Sequence, residues 1–475
     1  MKKRILLILF IIFSSVCLPH TSFAVSNEQP ETVVIYDSLD KQGAKNGNVD
    51  LLVRMLISVG TSVKLMQASE AKNLTFYSHV IVLQNEPADL SDELSQKLKQ
   101  VQETLLFIGE KPPNWLREAL HLKIELLQDA QLQMGNDRGT NFVPIMASKT
   151  PLVTQFTGDP IGKVQTTNSS GPFAVKQGKR SYASFLQKDT PSEALLLDVL
   201  TTLYKVPVSA PQQFVVLRDV NPFVDFKQVK KRADSFYQAN LPFLVSAGPV
   251  FQNTESLAAK RYADLLRYLE ERGGRILVNV PVVSAGASKP DELERVMQSS
   301  IHFLATNEIA PLGVSAEDYW LQDAIYRSEG LLPFSSGIFF PSQKAKMFTA
   351  KTKEAVFTED APFYLDGTAY QNWIGETAKE NLFQVPTVLG ISLFEKDEKW
   401  NQLLNMLKKQ SIQDYGKLDH TVTTKLDTIQ FKAGQVTING KEPDPKLKSD
   451  LKKQQDEQPK ASLTDFFLFN RKFSV

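Results

Sequence analysis

Cysteine is almost absent: the chain of 475 residues has one, Cys17. Any disulfide framework or thiolate metal site beyond that point is excluded. Histidine is scarce as well, five in all, and only His302 and His420 fall in the C-terminal half. Charge of neither sign dominates, with 54 Lys and Arg against 53 Asp and Glu, so no basic surface points to nucleic acid. After the first 24 residues no apolar run reaches the roughly 18 residues that a membrane span needs. A Gly-rich phosphate loop is missing too. The first strand runs into DSLDKQGAKNGN, which lacks the GxGxxG spacing, and no Cys or Ser sits at a nucleophile elbow. No cofactor is expected on this reading.

What is present begins with a leader. Lys2, Lys3 and Arg4 make a basic segment, Ile5 to Phe13 an apolar one, and Ser22-Phe23-Ala24 a small-x-small cleavage site, which together predict a secretory signal over 1–24. A lipoprotein would need a small residue before Cys17, where Val16 stands. Removing the three basic residues takes the formal charge from +1 to about −2. The expected location is secreted or cell-surface associated.

From residue 31 strand and helix alternate. VVIYD, SVKLMQ, HVIVLQN and TLLFIGE read as buried-type strands, and Leu52, Met55, Leu56 and Val59 share a helical face. This order predicts a doubly wound, flavodoxin- or amidotransferase-like domain over 25–210. It carries a strand-rich insertion at 151–190 and a closing helix at 191–206. Asp37 and Asp40 are its only mildly suggestive side chains, and they read as solvated loop carboxylates. VPVSAPQQ is the linker.

A second domain is expected over 211–440. Seven strands are predicted, at 214–219, 242–248, 275–280, 308–314, 334–338, 354–358 and 386–392. Helical patterns such as TESLAAKRYADLLRYLEERGG lie between several of them, with Leu257, Tyr262, Leu265, Leu266 and Leu269 inward and Gly273-Gly274 as the stop. Parallel strands need such crossovers, so the class is α/β with a (β/α) barrel. FVVLRDVNPF places Asp219 at the C-terminal end of the first strand, where barrels keep functional groups, and Asn221-Pro222 turns the chain away.

VVLRDVNPF, LPFLVSAGPVF, ERGGRILVNVPVV and PLGVSAEDYW, in this order, resemble the NodB-type polysaccharide deacetylases. More narrowly they resemble the secreted deacetylase-like proteins of Gram-positive exopolysaccharide gene clusters. The resemblance implies a glycan-directed barrel with a divalent metal held by an aspartate after the first strand and a His-x-x-x-His after the third. Here the family's paired aspartates fall on Arg218 and Asp219, and the histidines on Asn279 and Val283. A catalytic metal needs about three protein ligands and an open position. Asp219 with a neutral Asn279 does not supply them, so no metal is expected and the barrel reads as a pseudoenzyme. Arg218, Asn221 and Asn279 become candidate ligand contacts instead.

Two alternatives stay open at the mouth. Asp219 with Glu317 or Asp318 could form a glycosidase pair, which works at separations of about 5 to 9.5 Å. Ser315-Ala316-Glu317-Asp318 also reads as a helix cap with acids in its first turn. Tyr319 and Trp320 could stack on sugar or pack onto the barrel, and Trp373 in YQNWIGE is a further rim candidate. His302 beside Leu293, Val296, Met297 and Leu304 reads as structural. The expected partners are a polysaccharide or oligosaccharide and exopolysaccharide synthesis or export proteins. Beyond an amphipathic helix at DEKWNQLLNMLKK and a hairpin at Ala433-Gly434, residues 441–475 form a charged tether and an aromatic tail. Its Phe466, Phe467, Phe469 and Phe473 are apolar enough to dock on this chain, on a partner or peripherally on a membrane.

Overall fold

The computed structural model describes residues 31–40, 43, 45–207, 212–250, 253–279, 290–321, 325–341, 356–357, 361–374 and 382–444. The leader, Cys17, Val283 and the tail beyond 444 lie outside the described residues, as do residues 208–211 of the linker.

Strands apolar on both faces belong in a parallel sheet covered on both sides. β1 (Thr32–Tyr36), β2 (Val63–Gln67), β3 (His79–Leu83) and β4 (Thr104–Ile108) pair in that way, in the order β2-β1-β3-β4. Helix α1 (Asn48–Ser58) joins β1 to β2 and α2 (Asp92–Gln100) joins β3 to β4, with α3 (Asn114–Ala119) following. Helix α2 shows the local logic. Ser91 caps it by accepting from the Leu94 amide at 3.3 Å, Asp92 and Glu93 lie at its positive end, and Lys97 and Lys99 at its negative end.

The strand-rich segment is larger than expected. It starts at β5 (Lys123–Gly135) and continues through β6 (Ile145–Gln155), β7 (Asp159–Gln165), β8 (Ser170–Gln177) and β9 (Arg180–Ala183). It is no separate insertion, because β9 pairs with β4 and the whole forms one ten-stranded sheet. Helix α4 (Ser192–Leu203) is buried almost all round, which fits a helix enclosed by the core rather than laid on a surface.

Seven parallel strands make the second sheet: β10 (Gln213–Val220), β11 (Phe243–Ala247), β12 (Gly274–Asn279), β13 (Pro311–Glu317), β14 (Gly337–Phe340), β16 (Phe363–Asp366) and β17 (Thr387–Ser392). Among the described residues the order β14-β13-β12-β11-β10-β17-β16 is a nearly closed barrel, with β14 and β16 at its two edges. Between those strands Phe340 meets Tyr364 edge-on, with centroids 5.0 Å apart. The crossover helices are α5 (Phe226–Gln238), α6 (Leu257–Glu271), α7 (Pro290–Thr306) and α8 (Gly367–Ile374), and α9 (Asp397–Leu407) follows the last strand. In α6, Tyr262, Leu265, Leu266 and Leu269 are buried as expected and Gly273 follows the helix at φ 83. Leu257 is not inward: as the first helical residue it is 61% exposed.

Two strand assignments change. Residues 354–358 are not the sixth barrel strand. Their described part, β15 (Val356–Phe357), crosses to the other sheet and pairs antiparallel with the edge strand β2. The sixth strand is β16, four residues long and too short to stand out by periodicity. The fourth strand starts later than expected, at Pro311, and runs on to Glu317. Proline is tolerated as a first strand residue because it need not donate there. Ser315 is therefore in a strand and caps no helix; a 3-10 turn follows over Asp318–Leu321.

β18 (His420–Thr423), β19 (Thr428–Lys432) and β20 (Gln435–Ile438) form a small antiparallel sheet, with the expected turn at Ala433-Gly434. Both histidines serve its attachment. His302 contacts Asp427 at 2.9 Å, and His420 lies between Ser336 Oγ at 2.6 Å and the Tyr415 carbonyl at 2.8 Å.

Candidate functional site

The C-terminal ends of the barrel strands face α1 and the segment leading into α4. Arg54 of α1 is ion-paired with Asp318 after β13, both nearly fully buried. Trp373 Nε1 of α8 donates to the Asp189 carbonyl at 2.9 Å, and the Val143 amide donates to the Trp373 carbonyl at 2.6 Å. Between these contacts lies a cleft of about 530 Å³, within the size range of small-ligand sites. Arg218, Tyr364 and Asp366 line it from the barrel, and Arg54, Lys188, Asp189 and Glu193 from the opposite side.

Arg218 owes its place to an irregularity. The register of β10 against β11 shifts between Leu217 and Val220, and Asp219 adopts φ 69, a left-handed conformation that Asp tolerates better than most residues. Such bulges re-aim side chains. Arg218 Nη1 donates to Tyr364 Oη at 2.6 Å, and its guanidinium lies 5.5 Å from the Phe340 centroid and 5.8 Å from that of Tyr364. Burial pushes the Tyr364 phenol up to about 12, with Arg218 opposing, so it stays neutral.

Burial pushes the Glu193 carboxyl up to about 8, against the hydrogen bond that it accepts from the Asp189 amide at 2.6 Å. It therefore holds its proton at neutral pH. Burial, and then the charge of Asp318, also hold Asp50 well above the usual carboxylate range. The exposed Asp366 caps α8, accepting from the Thr368 and Ala369 amides at 3.0 Å each.

Of the residues singled out in the sequence, Arg218 alone lines this cleft. Asp219 points to β17 and accepts from Ser392 Oγ at 2.5 Å. Asn221 folds back, donating to the Asp219 carbonyl at 3.2 Å and accepting from the Phe223 amide at 3.0 Å. Asn279 donates to Ser246 Oγ at 2.6 Å, and Ser246 meets Ser315 at 2.9 Å, a chain of neutral groups at the barrel mouth. Glu317 is half-buried at the end of β13, in register with Phe340. Asp318, expected in an exposed cap or a catalytic pair, is consumed by Arg54. Tyr319 and Trp320 present no face to a sugar: they are 5% and 1% exposed, and both rings pack against Tyr326. Trp373 is buried within α8, not in an irregular rim. Asp37 is a loop brace, accepting from the Asn85 and Glu86 amides at 2.8 and 3.0 Å.

The metal that the resemblance implies does not fit. Among the described residues no three His, Cys, Asp or Glu side chains are grouped to hold one, and Asn279 and Asp219 are each engaged by a serine hydroxyl.

Sequence reasoning missed Arg54, Lys188, Glu193, Tyr364 and Asp366. Two signals were there. Glu193 is, with Asp198, an acid inside the largely apolar SEALLLDVL, and Asp366 ends FYLD directly before a helix, at a strand end as Asp219 is.

No known family matches the chain, and no curated protein matches it. Among solved structures, a beta-galactosidase from the psychrophilic Marinomonas ef1 is similar at 16% identity over 42% of this chain and 32% of that one, with a TM-score of 0.28. A catalytic mutant of Gan42B, a GH42 beta-galactosidase from G. stearothermophilus, is similar at 14% identity over 38% and 31%, with a TM-score of 0.29. The chain thus spans about a third of the length of each.

Proposed function

We propose that this chain is a secreted, non-catalytic glycan-binding protein acting beside the exopolysaccharide machinery. In this proposal a flavodoxin- or amidotransferase-like platform is joined to a NodB-like barrel that no longer uses the family's metal reaction. The observation that carries it is the cleft at the barrel mouth. It is ligand-sized, polar and lined by Arg218, where the family places its catalytic aspartate. A fixed guanidinium there disfavours a cation and suits a polar, hydrogen-bonding ligand. Aromatic side chains brace that guanidinium, so its donors stay in one orientation at little entropic cost on binding.

The test is calorimetric titration of the mature chain with a panel of oligosaccharides, beside an Asn372→Trp variant. Asn372 is exposed on α8 and lines the cleft, so the indole fills the site without disturbing the core. Binding by the parent that falls at least about tenfold in the variant supports the reading. Binding equal in both refutes the location, and no binding to any sugar refutes the function.

A second reading is favoured by Glu193, which is protonated at neutral pH and lines the same cleft as Asp366. A carbohydrate hydrolase needs two carboxyl groups in one cleft, one of them holding its proton. The pair of Glu193 and Asp366 replaces Asp219 with Glu317 or Asp318, since Asp318 is closed off by Arg54. Release of new reducing ends during the titration would establish it. Release of acetate from N-acetylated oligosaccharides in the presence of zinc would restore the deacetylase instead.

A further inference from the structure

We propose that the sugar seated in this cleft is an anionic one, its carboxylate or acidic ester bound by the Arg218 guanidinium with Lys188 facing it. This rests on the cleft being a sugar site and adds the chemical class of the ligand.

Arg218, Lys188 and Arg54 all line the cleft, and among the described residues no nearby acid is hydrogen-bonded to Arg218, although Asp219 and Asp366 act on its charge through space. Asp219 is turned to Ser392 Oγ at 2.5 Å. Asp366 accepts two amides on Oδ1 at the start of α8. Asp318 is taken by Arg54, Asp50 is held above the usual carboxylate range beside them, and Glu193 keeps its proton at neutral pH. Asp189 is 4.0 Å from Lys188, a pair whose side chains are 56% and 39% exposed, which leaves the ammonium largely solvated.

Arg218 is the decisive group. Its only side-chain hydrogen bond among the described residues goes to a neutral phenol, through one nitrogen. A guanidinium has five donors in a fixed fork, and the fork matches the two oxygens of a carboxylate or acidic ester. The rings of Phe340 and Tyr364 bracket it between the two edge strands of the barrel. They stabilise the cation without cancelling its charge. Asp219 and Asp366 act on this cation through space but make no hydrogen bond to it, so most donors of the fork remain open to an oxyanion on the ligand.

The test compares three probes on the full mature chain by calorimetry: a glucuronic-acid tetrasaccharide, its carboxyl-reduced glucose counterpart, and an O-sulfated form of the latter. Binding of either acidic probe at least about tenfold tighter than the neutral one is expected, and the tighter of the two identifies the anion. Arg218→Met should weaken both acidic probes far more than the neutral one, so that the acidic preference disappears. Arg218→Lys, which keeps the charge and loses the fork, should fall between. If Arg218→Met does not fold, Lys188→Ala, at a surface position, should still reduce the acidic preference by a few-fold. Equal binding of neutral and acidic probes overturns this inference while leaving the glycan site standing. Binding of none of the three overturns both.

Discussion

Glu193 is the residue at which stability and site chemistry meet. Its carboxyl, ordinarily near 4.5, is raised to about 8 by burial. Between those values the folded chain keeps a proton that the unfolded chain has lost, so stability is complete below the lower value and falls as pH rises towards the upper. Glu193→Gln removes this dependence and retains an oxygen for the Asp189 amide. The variant should match the parent at pH 5 and exceed it by up to a few kcal/mol at pH 8.5, measured by urea unfolding at both values. A parent whose stability is flat across that range would place the Glu193 carboxyl outside the buried environment described. The sequence shows this acid inside an apolar helix but not that the helix is enclosed on every side, which is what raises its affinity for the proton.

At the scale of an element, the end of β10 shows how one irregularity re-aims two adjacent side chains. A regular strand would send Arg218 and Asp219 to opposite faces. The shift between Leu217 and Val220 and the left-handed Asp219 turn one to the cleft and the other to Ser392. Asp219 here is a strand-end brace. Asp219→Asn should stay within about 0.5 kcal/mol of the parent and keep its glycan affinity, because Asn tolerates this conformation and still accepts from Ser392. Asp219→Val should cost about 1–3 kcal/mol, since a β-branched residue is strained there. Paired urea curves and titrations decide it. Loss of glycan affinity in Asp219→Asn would return Asp219 to the binding site.

For the whole molecule, the two sheets are bound together by contacts far apart in sequence. β15 caps the edge of the first sheet from within the barrel half. Arg138 donates to Asp198 at 2.7 Å and also to the Leu382 carbonyl. The Arg54–Asp318 pair closes one side of the cleft. Removing one member of a buried pair strands the other charge, so Asp318→Ala should destabilise the chain by about 3–5 kcal/mol. Arg54→Met combined with Asp318→Leu should recover most of that loss. Chemical denaturation of the two variants beside the parent provides the measurement. A double variant no better than the single would show that packing, and not the stranded charge, sets the cost.

The sequence by itself determined the local pieces: parallel strands where runs such as VVI and HVIVL are apolar on both faces, α6 with its glycine stop, the hairpin at Ala433-Gly434, and an unusual pair, Arg218 and Asp219, at a strand end. These depend on period and composition within a dozen residues, which a linear reading holds in full. Only the tertiary structure decided which strand ends and helices share a space. It brought Arg54, Lys188, Glu193, Arg218 and Tyr364 to one cleft, sent Val356–Phe357 to the other sheet, and hid Asp318, Tyr319 and Trp320. Convergence of this kind follows from strand order and from which face each element must bury, and both are settled by packing across hundreds of residues of chain.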